Sequence, residues 1–262
     1  MQPYTEDYYA DLMEGTRSSA GVIVPLVMEL VNPKSVVDVG CGTGSWLSVF
    51  NEQGIEDILG VDGEWVNKTT LEIPEERFVS SDLEHSFSAG RRFDLVVSLE
   101  VAEHLPSERA DIFVNTLTGL GSVVLFSAAV PYQVGENHVN GQWPEYWMEL
   151  FRSKGFVAID CFRRSVWCDE KVEPWYAQNI LLYAEQRYLN NQPTLKKAYE
   201  LYGTSQLAVV HPKLYLLTVE SVKRENSSRH RFLRIAKRMI PSTAQRVMRA
   251  VRGRVCLRTF RA

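Results

Sequence analysis

The sequence has few cysteines, no long apolar run and no low-complexity stretch. Its four cysteines, Cys41, Cys161, Cys168 and Cys256, form no Cys-x-x-Cys pair. This excludes a zinc ribbon and a disulfide scaffold, and it indicates a reduced, cytoplasmic protein. The apolar run at 123–130 is far shorter than the ~20 residues of a membrane span. The first residues are acidic and polar, so we expect no secretory signal.

The composition is that of an ordinary globular protein. Of the 262 residues, 45% are hydrophobic and 23% are charged, which excludes a wholly disordered chain and a fibrous one. The length suits one α/β domain with an appendage, or two small domains.

The charge is distributed unevenly along the chain. Residues 223–262 hold thirteen Lys or Arg and a single acid, Glu225, so this tail has a net charge of +12. The remaining 16 basic and 31 acidic residues give the rest of the chain a net charge of −15. We infer that an acidic domain is joined to a basic tail.

Short β-branched runs alternate with helical patterns over the first 188 residues. The pattern predicts strands at 35–39, 57–61, 77–80, 93–99, 122–126, 156–160 and 179–185, with helices at 45–53 and 107–118. Such alternation favours βαβ units and a mainly parallel sheet. The expected fold is a Rossmann-like, seven-stranded α/β sheet with helices on both faces.

The rest of the chain divides into two further segments. We predict one α/β domain over 1–188, a linker of uncertain structure over 189–222, and a basic amphipathic helical tail over 223–262. In the tail, apolar residues recur at helical spacing, and they are Phe232, Ile235, Ala236, Met239 and Ile240.

A glycine-rich turn follows the first predicted strand. Gly40, Gly42 and Gly44 alternate with Cys41 and Thr43 in a GxGxG pattern. Glycines allow positive φ and let a ligand approach bare backbone, and the helix that follows offers free N–H groups. The pattern is neither the GxGxxG of dinucleotide binders nor a P-loop, because no lysine follows.

Acidic residues stand at the ends of three neighbouring strands. Asp38 lies two residues before the turn, Asp62 ends the second strand and Asp82 follows the third. A carboxylate at the position of Asp62 can accept two hydrogen bonds from a ribose diol, and one at the position of Asp82 can meet an adenine amino group.

This succession resembles the class I S-adenosylmethionine-dependent methyltransferases over roughly residues 15–185. The resemblance implies that the turn receives the methionine part of S-adenosylmethionine, while Asp62 binds the ribose and Asp82 the adenine. Asp38 would orient the turn or the methionine part, and Arg17 would pair with the cofactor carboxylate. Three more residues are implied as cofactor contacts, namely Cys41, Leu83 and Leu99. The competing interpretations are a Rossmann-like dehydrogenase, a decayed binding fold and a non-catalytic scaffold.

A second cluster of polar residues follows the fourth strand. Glu100, Glu103 and His104 would share one face if the segment turns helically, and His138 follows the fifth strand. Ligands of open α/β sheets lie beyond the carboxyl ends of the strands, so these side chains should meet. Together they predict either a metal site or an acid/base cluster.

The E-x-x-E-H…H pattern resembles the metal site of small-RNA 3′-end 2′-O-methyltransferases, and part of it resembles ubiquinone-biosynthesis O-methyltransferases. The resemblance implies that Glu100, Glu103, His104 and His138 hold Mg²⁺ or another divalent ion, which lowers the pKa of the acceptor hydroxyl. Two alternatives remain open at this point. His104 or His138 acts as a metal-free general base, or these residues are structural.

Two groups of aromatic residues accompany these polar ones. One group follows His138 and comprises Trp143, Tyr146 and Trp147. The other lies between the sixth and seventh predicted strands and comprises Trp167, Trp175 and Tyr176. Each group either anchors a helix in the core or stacks on a sugar or a base at the mouth of the pocket.

The sequence of the basic tail indicates which class of substrate to expect. An apolar stripe flanked by arginines favours an anionic membrane surface, and the chain resembles bacterial surface-polysaccharide methyltransferases. We therefore expect O-methylation of a sugar hydroxyl on a glycan or glycolipid precursor, by a protein that is cytoplasmic and peripheral on the inner face of the plasma membrane. The alternatives are an RNA ribose 2′-O-methyltransferase and a small-molecule O- or N-methyltransferase. Nucleic acid is the less favoured partner, because an acidic domain repels a polyanion.

Overall fold

The computed structural model describes residues 6–202 and 206–224, with side chains from Glu14 onward. Seven strands form one sheet in the order β3-β2-β1-β4-β5-β7-β6. All pairings are parallel except those of β7, which runs antiparallel to both β5 and β6. The strands are β1 Ser35–Val39, β2 Asp57–Asp62, β3 Phe78–Ser80, β4 Leu95–Leu99, β5 Val123–Ser127, β6 Phe156–Ile159 and β7 Leu181–Glu185.

Helices connect or flank these strands in the part of the chain up to Tyr202. They are α1 Glu6–Val31, α2 Ser45–Glu52, α3 Ala110–Leu120, α4 Pro144–Ser153, α5 Arg163–Val166, α6 Pro174–Asn179, α7 Gln186–Asn190 and α8 Pro193–Tyr202.

The sheet is covered on both faces. Residues of β4 and β5 are all buried, as expected for parallel strands between two helical layers. Alternate strand residues enter two apolar clusters: Val36 lies in the cluster that includes α1 and α2, and Val37 in the cluster that includes α3 and α4. The predicted mainly parallel seven-stranded sheet with helices on both faces is confirmed.

The observed strands differ from the predicted ones only at their ends. The largest differences are at β4 and β7, which each begin two residues later than predicted. Strand β7 begins at Leu181 because Asn179 is the last residue of α6. The strands are parallel up to β5, so their carboxyl ends lie along one edge of the sheet. The loops that follow β1, β2, β4 and β5 therefore meet at that edge.

The segment after β7 is folded where the sequence pattern predicts a linker. Helices α7 and α8 occupy it, and Leu195 and Ala198 of α8 are buried in the cluster that contains α1. Residues Met1–Tyr215 form one unit and Leu216–Ala262 another. In the second unit, residues 216–224 are helical, and the rest of the predicted amphipathic tail lies outside the described residues. No helix in the described part of the chain is long and apolar enough to cross a membrane.

The packing of α8 can be tested with two leucines of the same helix. Leu195 is 2% exposed and Leu201 is 65% exposed. We expect Leu195→Ala to lower the free energy of unfolding by about 2–4 kcal/mol, because it leaves a cavity in the core. We expect Leu201→Ala to change it by less than about 0.5 kcal/mol. Urea denaturation of the full chain measures both, and equal effects would show that α8 does not belong to the core.

Candidate active site

The glycine-rich turn, residues 40–44, connects β1 to α2 in a left-handed backbone conformation. The φ angles of Gly40, Gly42 and Gly44 are 86°, 54° and 87°, a region that side chains other than glycine rarely adopt. A Cβ on Gly40 would lie 2.3 Å from the side chain of Val101, whereas one on Gly42 would meet no atom within 4 Å. Gly40 therefore permits close packing, and Gly42 presents bare backbone to open space.

A cavity of about 530 Å³ lies beside this turn. It brings together nine of the residues that the sequence singled out. These are Asp38, Gly40, Cys41, Gly42, Leu99, Glu100, Glu103, His104 and His138. The carboxyl ends of β1, β4 and β5 thus contribute to one site.

Asp62 lies at the end of β2 and stabilises the glycine-rich turn. Its carboxylate accepts hydrogen bonds from the backbone N–H groups of Gly42 at 2.7 Å and Gly63 at 2.6 Å. Gly44 stands at the N-terminus of α2. Asp62 and Gly44 both lie outside the cavity. The predicted contact of Asp62 with a ribose stays a prediction.

Asp82 and Leu83 follow β3 with different exposures. The Asp82 side chain is 62% exposed and accepts hydrogen bonds from the Glu84 N–H and from His85, which hold the pKa of its carboxyl below the usual value. Leu83 is buried in the core. Both lie outside the cavity, and their predicted contacts with adenine stay predictions.

Arg17 is held by side chains of the protein itself. Its guanidinium donates to Ser48 Oγ at 2.7 Å and to Glu72 at 2.9 Å, and it also bonds Glu52. Glu72 in turn accepts hydrogen bonds from Ser45 and Thr43 beside the glycine-rich turn. Arg17 does not line the cavity. In this structure Arg17 connects α1 to the turn through hydrogen bonds. Its pairing with a cofactor carboxylate stays a prediction.

Aromatic side chains form one wall of the cavity. Tyr176 and Trp175, from the excursion between β6 and β7, line the cavity together with Trp46 of α2. Tyr176 and Trp46 meet edge to face at 5.2 Å, and burial raises the pKa of Tyr176 to about 12. Trp46 was not anticipated from the sequence, although a large apolar residue directly after the turn is the signal that marks it.

The other predicted aromatic residues mostly pack elsewhere. Trp147 is 2% exposed and contacts Phe126 in the core, so it anchors α4. Trp167 packs on His211. Trp143 remains 43% exposed at the start of α4.

Glu103, His104 and His138, hereafter the Glu103 cluster, could together hold a cation. Each offers one ligand atom, and these atoms lie within 4.8 Å of one another. Both oxygens of the fully buried Glu103 carboxyl, and Nδ1 of His138, find no hydrogen-bonding partner among the described residues. Unpartnered buried polar atoms are costly unless a ligand satisfies them.

Burial sets the protonation of the Glu103 cluster. It lowers the pKa of His104 and His138, and the proximity of His104 lowers that of His138 further. Neutral imidazoles are the form that binds metals or accepts a proton. Burial and the nearby Glu100 raise the pKa of Glu103, so a cation would stabilise its charged form.

Local backbone contacts hold His138 beside Glu103. The carbonyl of Glu103 accepts hydrogen bonds from the N–H groups of Val139 and Asn140, both at 2.9 Å. A Cβ on Gly135 would lie 2.2 Å from the His138 ring, so the ring can pack there only over glycine.

Glu100 is not among the residues whose ligand atoms converge in the Glu103 cluster, although its carboxyl is close to that of Glu103 and both line the cavity. Its φ is 55°, and helical backbone begins only at a single 3₁₀ turn, Ala102–His104. The expected continuous helical face is therefore absent between these residues. The Glu100 carboxylate instead accepts hydrogen bonds from Gln133 Nε2 at 2.9 Å and Asn179 Nδ2 at 3.0 Å. Its role as a fourth metal ligand stays a prediction.

These amides belong to a buried carboxamide network, Gln133, Gln178 and Asn179, which sequence reasoning missed. Gln178 accepts a hydrogen bond from the N–H of His211 at 2.8 Å. Nothing in the local sequence marks these residues, because they come from separate segments that only the fold brings together.

The whole chain was compared with known proteins. A family profile described as a methyltransferase domain matches residues 20–155, slightly more than half of the chain. The chain belongs to this methyltransferase family. Among curated proteins, none matches the sequence.

Solved structures share the fold of this methyltransferase. Magnesium protoporphyrin IX methyltransferase (ChlM) from Synechocystis PCC 6803 gives a TM-score of 0.51 at 17% identity, over 71% of this chain and 90% of that one. CalS10, an amino pentose methyltransferase from Micromonospora echinaspora, gives 0.50 at 13% identity, over 71% and 99%. The methyltransferase domain of bacterial CtHen1 gives 0.49 at 20% identity, over 65% and 98%. At these identities, the likeness shows the fold alone.

The two ends of β2 offer a matched test of the cofactor site. Asp62→Ala removes the acceptor for Gly42 and Gly63, and it removes the predicted ribose acceptor. We expect the affinity for S-adenosylmethionine to fall at least a hundredfold, since two charge-assisted hydrogen bonds contribute about 3 kcal/mol. Asp57 lies at the start of the same strand and pairs with Arg91. We expect Asp57→Ala to change the affinity for S-adenosylmethionine less than twofold. Calorimetry measures both, and an unchanged affinity in Asp62→Ala would refute this site.

Proposed function

We propose that this methyltransferase uses S-adenosylmethionine to methylate a sugar hydroxyl with the assistance of a divalent ion. The observation that carries the proposal is a single cavity that joins the glycine-rich turn to the Glu103 cluster. A cofactor bound at the turn and an acceptor at the cluster would then be neighbours.

The residues at the turn fit S-adenosylmethionine. Gly42 presents backbone without a side chain, and the N-terminus of α2 favours a carboxylate. The volume of about 530 Å³ lies in the range of cofactor pockets. Solved structures with the same fold contain this compound, including one of ChlM and one of CalS10. The cofactor supplies the methyl group, and the protein orients it towards the acceptor.

The Glu103 cluster fits a divalent ion. One carboxylate and two neutral imidazoles suit a first-row transition ion such as Mn²⁺ better than Mg²⁺, which prefers oxygen ligands, and the unpartnered oxygens of Glu103 are available to bind one. A bound ion would lower the pKa of an acceptor hydroxyl and orient its oxygen. In this arrangement Glu103, His104 and His138 would bind the ion.

The metal-free alternative rests on the same imidazoles. His138 lines the cavity with Nδ1 unpartnered among the described residues, and its lowered pKa keeps it neutral near pH 7. It could therefore accept the proton of a hydroxyl without an ion.

Three observations support a sugar acceptor. Trp143 is exposed near the loop that carries His138, and tryptophan faces suit sugar rings. CalS10, which has the same fold, is an amino pentose methyltransferase. Outside the tail the chain has a net charge of −15, from 16 basic and 31 acidic residues, which disfavours the RNA alternative. The basic tail sequence supports an acceptor at an anionic membrane surface, such as a lipid-linked glycan.

A labelled-methyl transfer assay tests this proposal. The full chain receives methyl-labelled S-adenosylmethionine with a lipid-linked glycan in anionic vesicles, a free nucleotide sugar, or RNA with a free 3′ end. We expect label on a glycan oxygen, loss of transfer in EDTA and recovery with Mg²⁺ or Mn²⁺. Glu103→Gln should reduce turnover at least a hundredfold, whereas Glu149→Gln, an exposed carboxylate of α4 paired with Arg152, should leave it unchanged.

Each contrary outcome of the assay removes a defined part of the proposal. Full activity in EDTA would remove the ion and leave the general-base mechanism. Transfer to RNA alone would favour the ribose 2′-O-methyltransferase. Label on nitrogen would contradict O-methylation.

A further inference from the structure

We propose that Gln178, a buried residue outside the cavity, is a positioning residue that directs Nδ1 of His138 into the Glu103 cluster. It acts through Gln133, whose backbone contacts the His138 ring and whose side chain contacts Gln178. The inference rests on the proposed function, in which His138 binds an ion or accepts a proton. It adds which of the two ring nitrogens performs that task and what orients the ring.

The two nitrogens of the His138 ring have different surroundings. Nδ1 is buried and has no hydrogen-bonding partner among the described residues. The backbone carbonyl of Gln133 accepts a hydrogen bond from the ring, and because Nδ1 makes none, the donor is Nε2. A neutral imidazole carries a proton on one nitrogen and a lone pair on the other, so a proton held on Nε2 leaves the lone pair on Nδ1. Nδ1 is therefore the atom that can bind an ion or accept a proton.

The same loop also orients the neighbouring imidazole. The backbone carbonyl of Asn137 accepts a hydrogen bond from the His104 ring, and the rings of His104 and His138 meet edge to face at 5.1 Å. Metal-binding histidines usually donate their second nitrogen to a carbonyl or a carboxylate, and loss of such a partner weakens metal binding by about 10–100-fold. The loop at 133–138 thus supplies acceptors for both rings, and its conformation sets their orientation.

The side chain of Gln133 attaches this loop to the core of the fold. Its Oε1 accepts hydrogen bonds from Gln178 Nε2 at 3.1 Å and from Asn179 Nδ2 at 3.0 Å. Its Nε2 donates to the Glu100 carboxyl at 2.9 Å, and a carboxyl oxygen accepts such a bond whether or not the group is charged. The N–H of Gln133 donates to the carbonyl of Val130 at 3.1 Å. Because both the side chain and the backbone of Gln133 are held, the direction of its carbonyl is fixed.

Gln178 has anchors of its own at a distance from the cavity. Its Oε1 accepts a hydrogen bond from the N–H of His211 at 2.8 Å, and its backbone carbonyl accepts one from Arg163 Nη1 at 3.1 Å. Gln178 and Arg163 are both buried, and neither lines the cavity. Buried and fully bonded amides are rigidly placed. Gln178 therefore acts on a ligand in the cavity only through Gln133.

Two-bond ¹H–¹⁵N spectra of the full chain, labelled with ¹⁵N-histidine, show which ring nitrogen carries the proton. They are recorded at about pH 8, where the imidazole of His138 is neutral because burial lowers its pKa. A spectrum of His138→Asn assigns its signals. We expect the wild type to carry the proton on Nε2. Gln178→Met keeps the length of the side chain and removes its hydrogen bonds, so we expect a mixture of both tautomers and about tenfold weaker binding of Mn²⁺, followed by EPR.

A matched control separates orientation of the ring from general loss of structure. Thr116→Val removes a buried hydroxyl outside the cavity, and it should change neither the tautomer of His138 nor the affinity for Mn²⁺. Thermal unfolding identifies a variant that does not fold. If Gln178→Met does not fold, Asn179→Ala, which removes the other donor to Gln133 Oε1, provides the result.

Two results would overturn the inference. One is a wild type that carries the proton on Nδ1 of His138, and the other is a Gln178→Met variant that folds and keeps the wild-type tautomer. A wild type that binds no Mn²⁺ would remove the ion from the proposed function. In that case a change of tautomer in Gln178→Met would still support the positioning role, so the two failures are distinguishable.

Discussion

The site depends on hydrogen bonds that pin the glycine-rich turn to the end of β2. The N–H of Gly40 donates to the carbonyl of Val61 at 2.7 Å, and that of Gly42 donates to the carboxylate of Asp62 at 2.7 Å. These bonds hold the turn in a conformation that glycine adopts without strain. Because the turn is fixed, α2 begins beside the cavity, and Gly42 lines it without a side chain.

Three buried carboxyl groups line the cavity at the same edge of the sheet. Asp38, Glu100 and Glu103 are desolvated, and burial raises the pKa of each. Such groups cost free energy until a cation or a donor meets them. Glu100 has its donors within the protein, whereas Glu103 has none among the described residues.

Local patterns in the sequence predicted the sheet and most of the cavity, because strands and the glycine-rich turn are encoded by neighbouring residues. The lack of a continuous helical face between Glu100 and Glu103 was not predictable, since it depends on a left-handed residue and on amides from distant segments. The course of residues 186–202 was also missed, because the polar residues at 190–193 are typical of a linker while Leu195 is buried only through packing on other elements. Arg17 lies beside the turn as expected, but its partners Glu52 and Glu72 are set by the tertiary structure.

The central claim is that S-adenosylmethionine lies along the carboxyl ends of β1, β2 and β4. A crystal structure of the full chain with this compound tests it most directly. The account predicts the methionine part against Gly42 and the ribose hydroxyls within hydrogen-bonding distance of Asp62. An empty cavity in crystals soaked at saturating concentration, or the compound bound at another face of the sheet, would contradict it.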